Sequence, residues 1–111
     1  MNTNKDNKES SMDMKKNYGS KELERDFGPL TFGNALESFR LGEGLSQREF
    51  ALILGISPQS LCDIEKGRRI PSVSRALKIA RKIKMPKKTW IELALQDTLR
   101  KEKLNYTVSV S

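Results

Sequence analysis

The amino-acid sequence predicts an all-α fold of five short helices with one strand-like segment at its C-terminal end. Three observations predict it. Apolar residues recur at spacings of three and four between about residues 31 and 103, the periodicity of one helical face. Ser, Pro and Gly stand at the joins between these stretches, where helices start and stop. Only the segment over 105–111 replaces that spacing with an alternation of two.

The chain divides into three parts. Residues 1–26 hold six Lys/Arg and six Asp/Glu and little apolar surface, so residues 1–28 are expected to be a disordered arm whose burial could not offset its conformational entropy. Its Lys/Glu-rich end, 20–26, is a candidate helix on a partner. Gly28 and Pro29 punctuate the chain and open the body, 29–104. The tail, 105–111, is the strand-like part.

Within the body the first helix carries Phe32, Ala35, Leu36 and Phe39 on one face and ends near Gly42 and Gly44. Ser46 is placed to cap a second helix, with Glu49 completing a capping box; Phe50, Ala51 and Leu54 form its stripe and Gly55 ends it. Ser57 and Pro58 make the clearest start signal, since Ser accepts from the exposed amides and Pro is preorganised for the first helical position. This third helix is expected over Pro58 to Lys66, with Leu61 and Ile64 inward and Gly67 closing it. Pro71 and Ser72 open a fourth, whose inward stripe reads Val73, Ala76, Leu77, Ala80 and Ile83. A fifth starts between Pro86 and Thr89 and continues through Trp90, Ile91, Ala94, Leu95 and Leu99 to about Lys103. Tyr106, Thr107, Val108, Ser109 and Val110 then alternate as a strand does. An isolated strand needs a partner, and in a helical chain the nearest is the same strand of a second copy across a two-fold axis.

Composition narrows the functions. The net charge is +7, and all of the excess falls in residues 27–111, which points to an anionic partner, either nucleic acid or a membrane surface. The cations are spread over capped helices and not along one strongly amphipathic face, against a membrane-surface role. With no His and a single Cys, Cys62, the usual metal sites and imidazole chemistry are not expected, nor any cofactor or catalytic residue. The absence of a long apolar run and of a disulfide framework suits a cytoplasmic setting.

The decisive segment is Leu45 to Arg68, two short helices separated by a Gly-containing turn. Its residues Ser46-Gln47, Glu49-Phe50-Ala51, Leu54-Gly55-Ile56-Ser57, Gln59-Ser60-Leu61 and Ile64-Glu65-Lys66-Gly67-Arg68, followed by Pro71, resemble the lambda repressor and Cro type of domain, the Xre family. The resemblance covers about Thr31 to Leu99. It implies a five-helix lambda-repressor-like domain whose third helix enters the major groove of double-stranded DNA.

A helix lying in that groove reaches base edges with its N-terminal residues, which here are Pro58, Gln59, Cys62 and Asp63, with Ser57 and Ser60 near the backbone. Gln59 is the best base reader, because its amide matches adenine N6 and N7; the bland alternative is a solvated amide. Gln47 is implied by the resemblance to meet phosphate at a helix N-terminus, with Arg48 beside it. Asp63 departs from the family, where an uncharged polar residue is common. It either accepts from a base such as cytosine or forms an ion pair with Arg48 or another cation. Between Gly67 and Lys88 stand nine Lys/Arg and no acid. Lys78, Lys82 and Lys84 read as a solvated face, whereas Arg68 and Arg69 follow the groove helix directly and are expected on phosphates, as is Lys66 at its end. Glu65 reads as a salt bridge tying the third helix to its neighbour. Trp90 reads as core or dimer interface, and Tyr106, Val108 and Val110 as dimer interface. Cys62 reads as a small packed thiol before it reads as a redox switch.

The expected function is a homodimeric transcriptional regulator on a palindromic operator. The terminal strand resembles that of HipB-type antitoxins, which pair with a kinase toxin and repress their own operon. A HigA-type antitoxin, paired with an mRNA-cleaving toxin, would look similar. The alternative is a freestanding phage or host repressor with no toxin.

Overall fold

Residues 29–111 are described by a computed structural model, and they form five helices joined by short turns: α1 Phe32–Gly42, α2 Gln47–Leu54, α3 Pro58–Glu65, α4 Val73–Lys82 and α5 Lys87–Lys101. The arm expected over 1–28 lies outside the described residues. Four of the helices start where a hydroxyl accepts from an otherwise orphaned amide: Thr31 for α1, Ser46 for α2, Ser57 for α3 and Ser72 for α4. The box at Ser46 is complete, with Glu49 Oε1 accepting from the Ser46 N–H at 2.8 Å. Pro86 precedes α5 without a side-chain cap.

The core is drawn from every helix. Phe32 and Leu36 of α1, Phe50, Ala51 and Leu54 of α2, Leu61 and Ile64 of α3, Ala76, Ile79 and Ala80 of α4, and Trp90 and Ala94 of α5 are all buried. Helix α1 packs on α3 and α5, α2 on α3 and α4, and α4 lies most extensively along α5. The stripe of α4 is rotated from the expected one: Ile79 is core, Leu77 is half-buried and Val73 is 44% exposed. Ala76, Ile79, Ala80 and Ile83 satisfy the three-and-four spacing equally well, and packing against α5 chooses them.

Of the two readings of Trp90, core or dimer interface, the described residues show the core one. Trp90 is 4% exposed, with its ring edge-on to Phe32 at a centroid separation of 5.1 Å, an arrangement the ring quadrupoles favour.

Gly33 fixes how closely α1 meets α3. A Cβ there would sit 2.8 Å from the Glu65 carbonyl oxygen and closer still to that of Ile64. The first turn of α1 therefore rests against the last carbonyls of α3, an approach only glycine permits and one in which the two helix dipoles attract.

The tail differs from expectation as well. No strand forms among the described residues. Residues 105–111 instead run back along α5: Gln96 Nε2 donates to the Tyr106 carbonyl at 2.8 Å, Gln96 Oε1 accepts from the Val108 N–H at 3.0 Å, and Glu92 Oε2 accepts from the Val110 N–H at 2.8 Å. The alternation of two is real, and it serves to turn every second residue toward a helix. Val108 and Val110 are half-buried, while Tyr106, Thr107 and Ser109 are exposed.

Candidate nucleic-acid interface

The turn between α2 and α3 is built by three residues. Gly55 takes a left-handed conformation, φ 74°, to end α2. Ile56 tucks against the core, and its N–H donates to the Ala51 carbonyl at 3.0 Å. Ser57 then turns its Oγ to the Ser60 N–H at 3.0 Å, and Pro58 starts α3. The outcome is a helix with its front turn in solvent: Ser57, Pro58 and Gln59 stand toward water, whereas Leu61, Ile64 and Glu65 are buried behind them.

The back of α3 is locked by charge. Glu65 is 3% exposed, accepting from Arg40 Nε at 2.7 Å, from Arg40 Nη2 at 3.1 Å and from Gln47 Nε2 at 2.8 Å. Arg40 also donates to the Leu45 carbonyl at 3.0 Å. Its pKa is raised further above the ordinary arginine value by the hydrogen bond to Glu65, with burial opposing. This fork-on-carboxylate geometry aligns α1, α2 and α3 in one network. The expected tie through Glu65 is thus made, and its partner is Arg40.

Arg40 is the functional residue that sequence reasoning missed. The signal is present, since Phe32, Leu36 and Arg40 fall four residues apart on the inward face of α1, and a cation in a buried stripe calls for a buried acid. Gln47, expected to face phosphate, has its side-chain nitrogen committed in part to Glu65.

A second carboxylate lies at the front. Asp63 Oδ1 accepts from Gln59 Nε2 at 3.0 Å and from Arg68 Nε at 3.0 Å. Of the two readings of Asp63, the ion pair is present, and its partner is Arg68; Arg48 lies elsewhere, along a shallow apolar groove with Leu52, Ile56 and Pro58. Arg68 and then Gln59 hold the Asp63 carboxyl below the usual carboxylate range. Arg68 Nη2 also reaches Cys62 Sγ at 3.5 Å, so the half-buried thiol sits within this polar cluster.

Beyond α3, the loop that carries Arg68 and Arg69 meets the last turn of α5. Arg68, Arg69, Arg100 and Lys101 line one cleft of about 320 Å³ with Thr31, Gly33 and Asp97. Asp97, 9% exposed, accepts from the Phe32 N–H at 2.9 Å and from Arg100 Nη1 at 2.9 Å. Arg100 and Lys101 are distant from the loop in sequence, and folding alone makes them its neighbours. Lys66 is exposed at the end of α3. Among the described residues no group of His, Cys, Asp and Glu could hold a metal ion, and no helix is long and apolar enough to cross a membrane.

Comparison with known proteins agrees with this geometry. Residues 36–88, from the middle of α1 to the start of α5, match the family model described as helix-turn-helix. The matched stretch contains α2, the turn at Gly55 and α3 in full. The chain is also similar to an endothelial differentiation-related factor 1 homolog of Gallus gallus, with 34% identity over 64 residues. That alignment covers 58% of this chain and 43% of the relative, so the chain spans less than half the length of the curated protein it matches. No solved structure gave a match.

Proposed function

We propose that the protein is a sequence-specific regulator of transcription that places the front turn of α3 in the major groove of double-stranded DNA and works as a homodimer. The observation that carries this reading is the division of α3. Its rear is fixed by Glu65, Arg40 and Gln47, while Ser57, Pro58 and Gln59 stand toward solvent. A base-reading element needs both properties, because a turn that moves cannot discriminate and a turn that is covered cannot enter. Phosphate contacts are assigned to Arg48, Lys66, Arg68 and Arg69, and to the amide end of α2 at Gln47, with Ser57 and Ser60 beside the backbone. Homodimer formation is assigned to the tail, where Tyr106, Thr107 and Ser109 remain exposed beside residues anchored on α5. The comparisons lend no support to the antitoxin expectation, and the freestanding regulator is the reading adopted.

The test is binding of the full chain to duplexes selected from random sequence at stated salt. Gln59→Ala is expected to weaken the selected site by about 1 to 3 kcal/mol and to spare unrelated DNA; equal losses on both would remove Gln59 from base reading. Removal of residues 106–111 is expected to shift sedimentation toward monomer and to abolish a preference for palindromes. A dimer that survives the truncation would place the interface elsewhere.

A further inference from the structure

Gln59 and Asp63 of α3 are tied by a hydrogen bond, and that bond constrains what a base edge placed against them could offer. Resting on the DNA-binding reading above, we infer that Gln59 and Asp63 together select bases that present an exocyclic amino group in the major groove, adenine or cytosine, and reject guanine and thymine at the position they face.

The argument starts from the carboxylate. Asp63 Oδ1 receives both the Gln59 amide and the Arg68 guanidinium, each at 3.0 Å. A carboxylate can only accept. The Gln59 amide is therefore fixed in one of its two orientations, nitrogen toward Asp63, because the flipped amide would set oxygen against oxygen. Gln59 Oε1 is left pointing away from the nitrogen's partner, on an exposed side chain. Asp63 Oδ2 has no partner among the described residues, and the side chain keeps 22% of its surface open. The Gln59–Asp63 hydrogen bond thus joins two side chains one helical turn apart, and each keeps one acceptor that the other does not use.

Their natural counterparts are donors. In the major groove adenine offers N6–H₂ and cytosine N4–H₂ as donors, whereas guanine O6 and thymine O4 are acceptors at the corresponding place. Keto groups would put acceptor against acceptor with no proton between them. The second hydrogen of Gln59 Nε2 stays available and completes the match to adenine N7, so the rejection of guanine O6 and thymine O4 rests on Asp63 Oδ2, which carries no hydrogen to offer. Arg68 makes an acid tolerable here, since the ion pair cancels the charge that would otherwise repel the backbone. The same pair withholds Arg68 from binding phosphate freely, so this corner of the surface trades general affinity for selection.

The experiment uses the full chain and the duplex selected from random sequence. Gln59→Ala first identifies the base pair that the front turn faces, as the position where preference is lost. At that position the wild-type protein is expected to prefer adenine or cytosine over guanine or thymine by about tenfold. Purine in place of adenine, or 2-pyrimidinone in place of cytosine, deletes only the amino group and is expected to give a similar loss. Asp63→Asn, which adds a donor and frees the Gln59 amide to turn, is expected to tolerate keto bases there and to bind unrelated duplexes more tightly. Guanine or thymine at the selected position, or indifference of the wild-type protein to removal of the amino group, would overturn the inference while leaving the DNA reading intact. Failure to bind any duplex at low salt would instead overturn the DNA reading itself. The base-analogue arm needs no variant, so an Asp63→Asn chain that folds poorly does not blunt the test.

Discussion

Helix α3 holds two carboxylates two residues apart, and each is bound by one arginine and one glutamine amide. Glu65 meets Arg40 and Gln47; Asp63 meets Arg68 and Gln59. The chemistry is the same, and the surroundings are opposite. The Glu65 side chain has no exposed surface and its arginine 10%, whereas Asp63 has 22% and Arg68 has 57%. Water decides what the trio can do. At the rear, the charges have no alternative partner once formed, so the network fixes three helices in place. At the front, water competes for the same groups, so the cluster is free to exchange partners, as the proposed duplex contact requires.

The sharpest way to break this comparison is to remove one arginine from each. Arg40→Met leaves Glu65 buried and charged without its counter-ion, and a loss of about 3 to 5 kcal/mol is expected. For a domain of this size that lowers Tm by about 12 °C or more, read by thermal unfolding. Arg68→Ala removes the same kind of bond in solvent and is expected to leave Tm nearly unchanged. Comparable Tm values for the two variants would erase the distinction between a structural and an adaptable site.

A smaller effect separates Arg68 from its neighbour Arg69. Arg68 is already paired with Asp63, while Arg69 lines the cleft beside Arg100 and Lys101. Arg69→Ala is expected to weaken binding to all duplexes and to flatten the dependence of log K on log salt by about 0.9. Arg68→Ala should flatten it less, since the charge it brings to the interface is partly cancelled beforehand. Equal slopes in titrations from low to high salt would mean that Asp63 does not hold Arg68 back in the complex.

The same contrast explains what could be read from the sequence. Start signals such as Ser46 with Glu49, Ser57 with Pro58, and Ser72 act within three residues, so they are legible one at a time, and all three cap their helices as expected. The start of α3 is equally local, which is why the exposure of Pro58 and Gln59 ahead of the buried Leu61 and Ile64 follows from the sequence. The rear network joins residues 25 apart, and nothing within one helix announces which acid Arg40 will find. Ambiguous periods fail for a related reason: α4 offers two stripes of similar quality, and the choice of Ile79 over Val73 lies in the surface of α5. The tail shows the limit most clearly. Alternation over 106–110 states that every second residue faces something, and the sequence alone does not say that Gln96 and Glu92 are that something.

The smallest expected effect concerns acid, and it follows from the exposed trio alone. Arg68 and Gln59 lower the pKa of Asp63 in the folded chain, so the folded state binds a proton there less readily than the unfolded state does. The sign is then fixed: the stabilisation is fully present above the unfolded pKa and is lost as pH falls through the lower folded value. The Tm difference between wild type and Asp63→Asn should therefore hold constant from neutral pH down to about 5 and shrink below about pH 4. Its size will be modest, because solvent screens the pair, but its pH profile is diagnostic. A difference that persists unchanged at pH 2 would mean that the Asp63→Asn variant loses something other than charge, such as the fixed orientation of Gln59, and the front cluster would then owe its order to hydrogen-bond geometry more than to the ion pair.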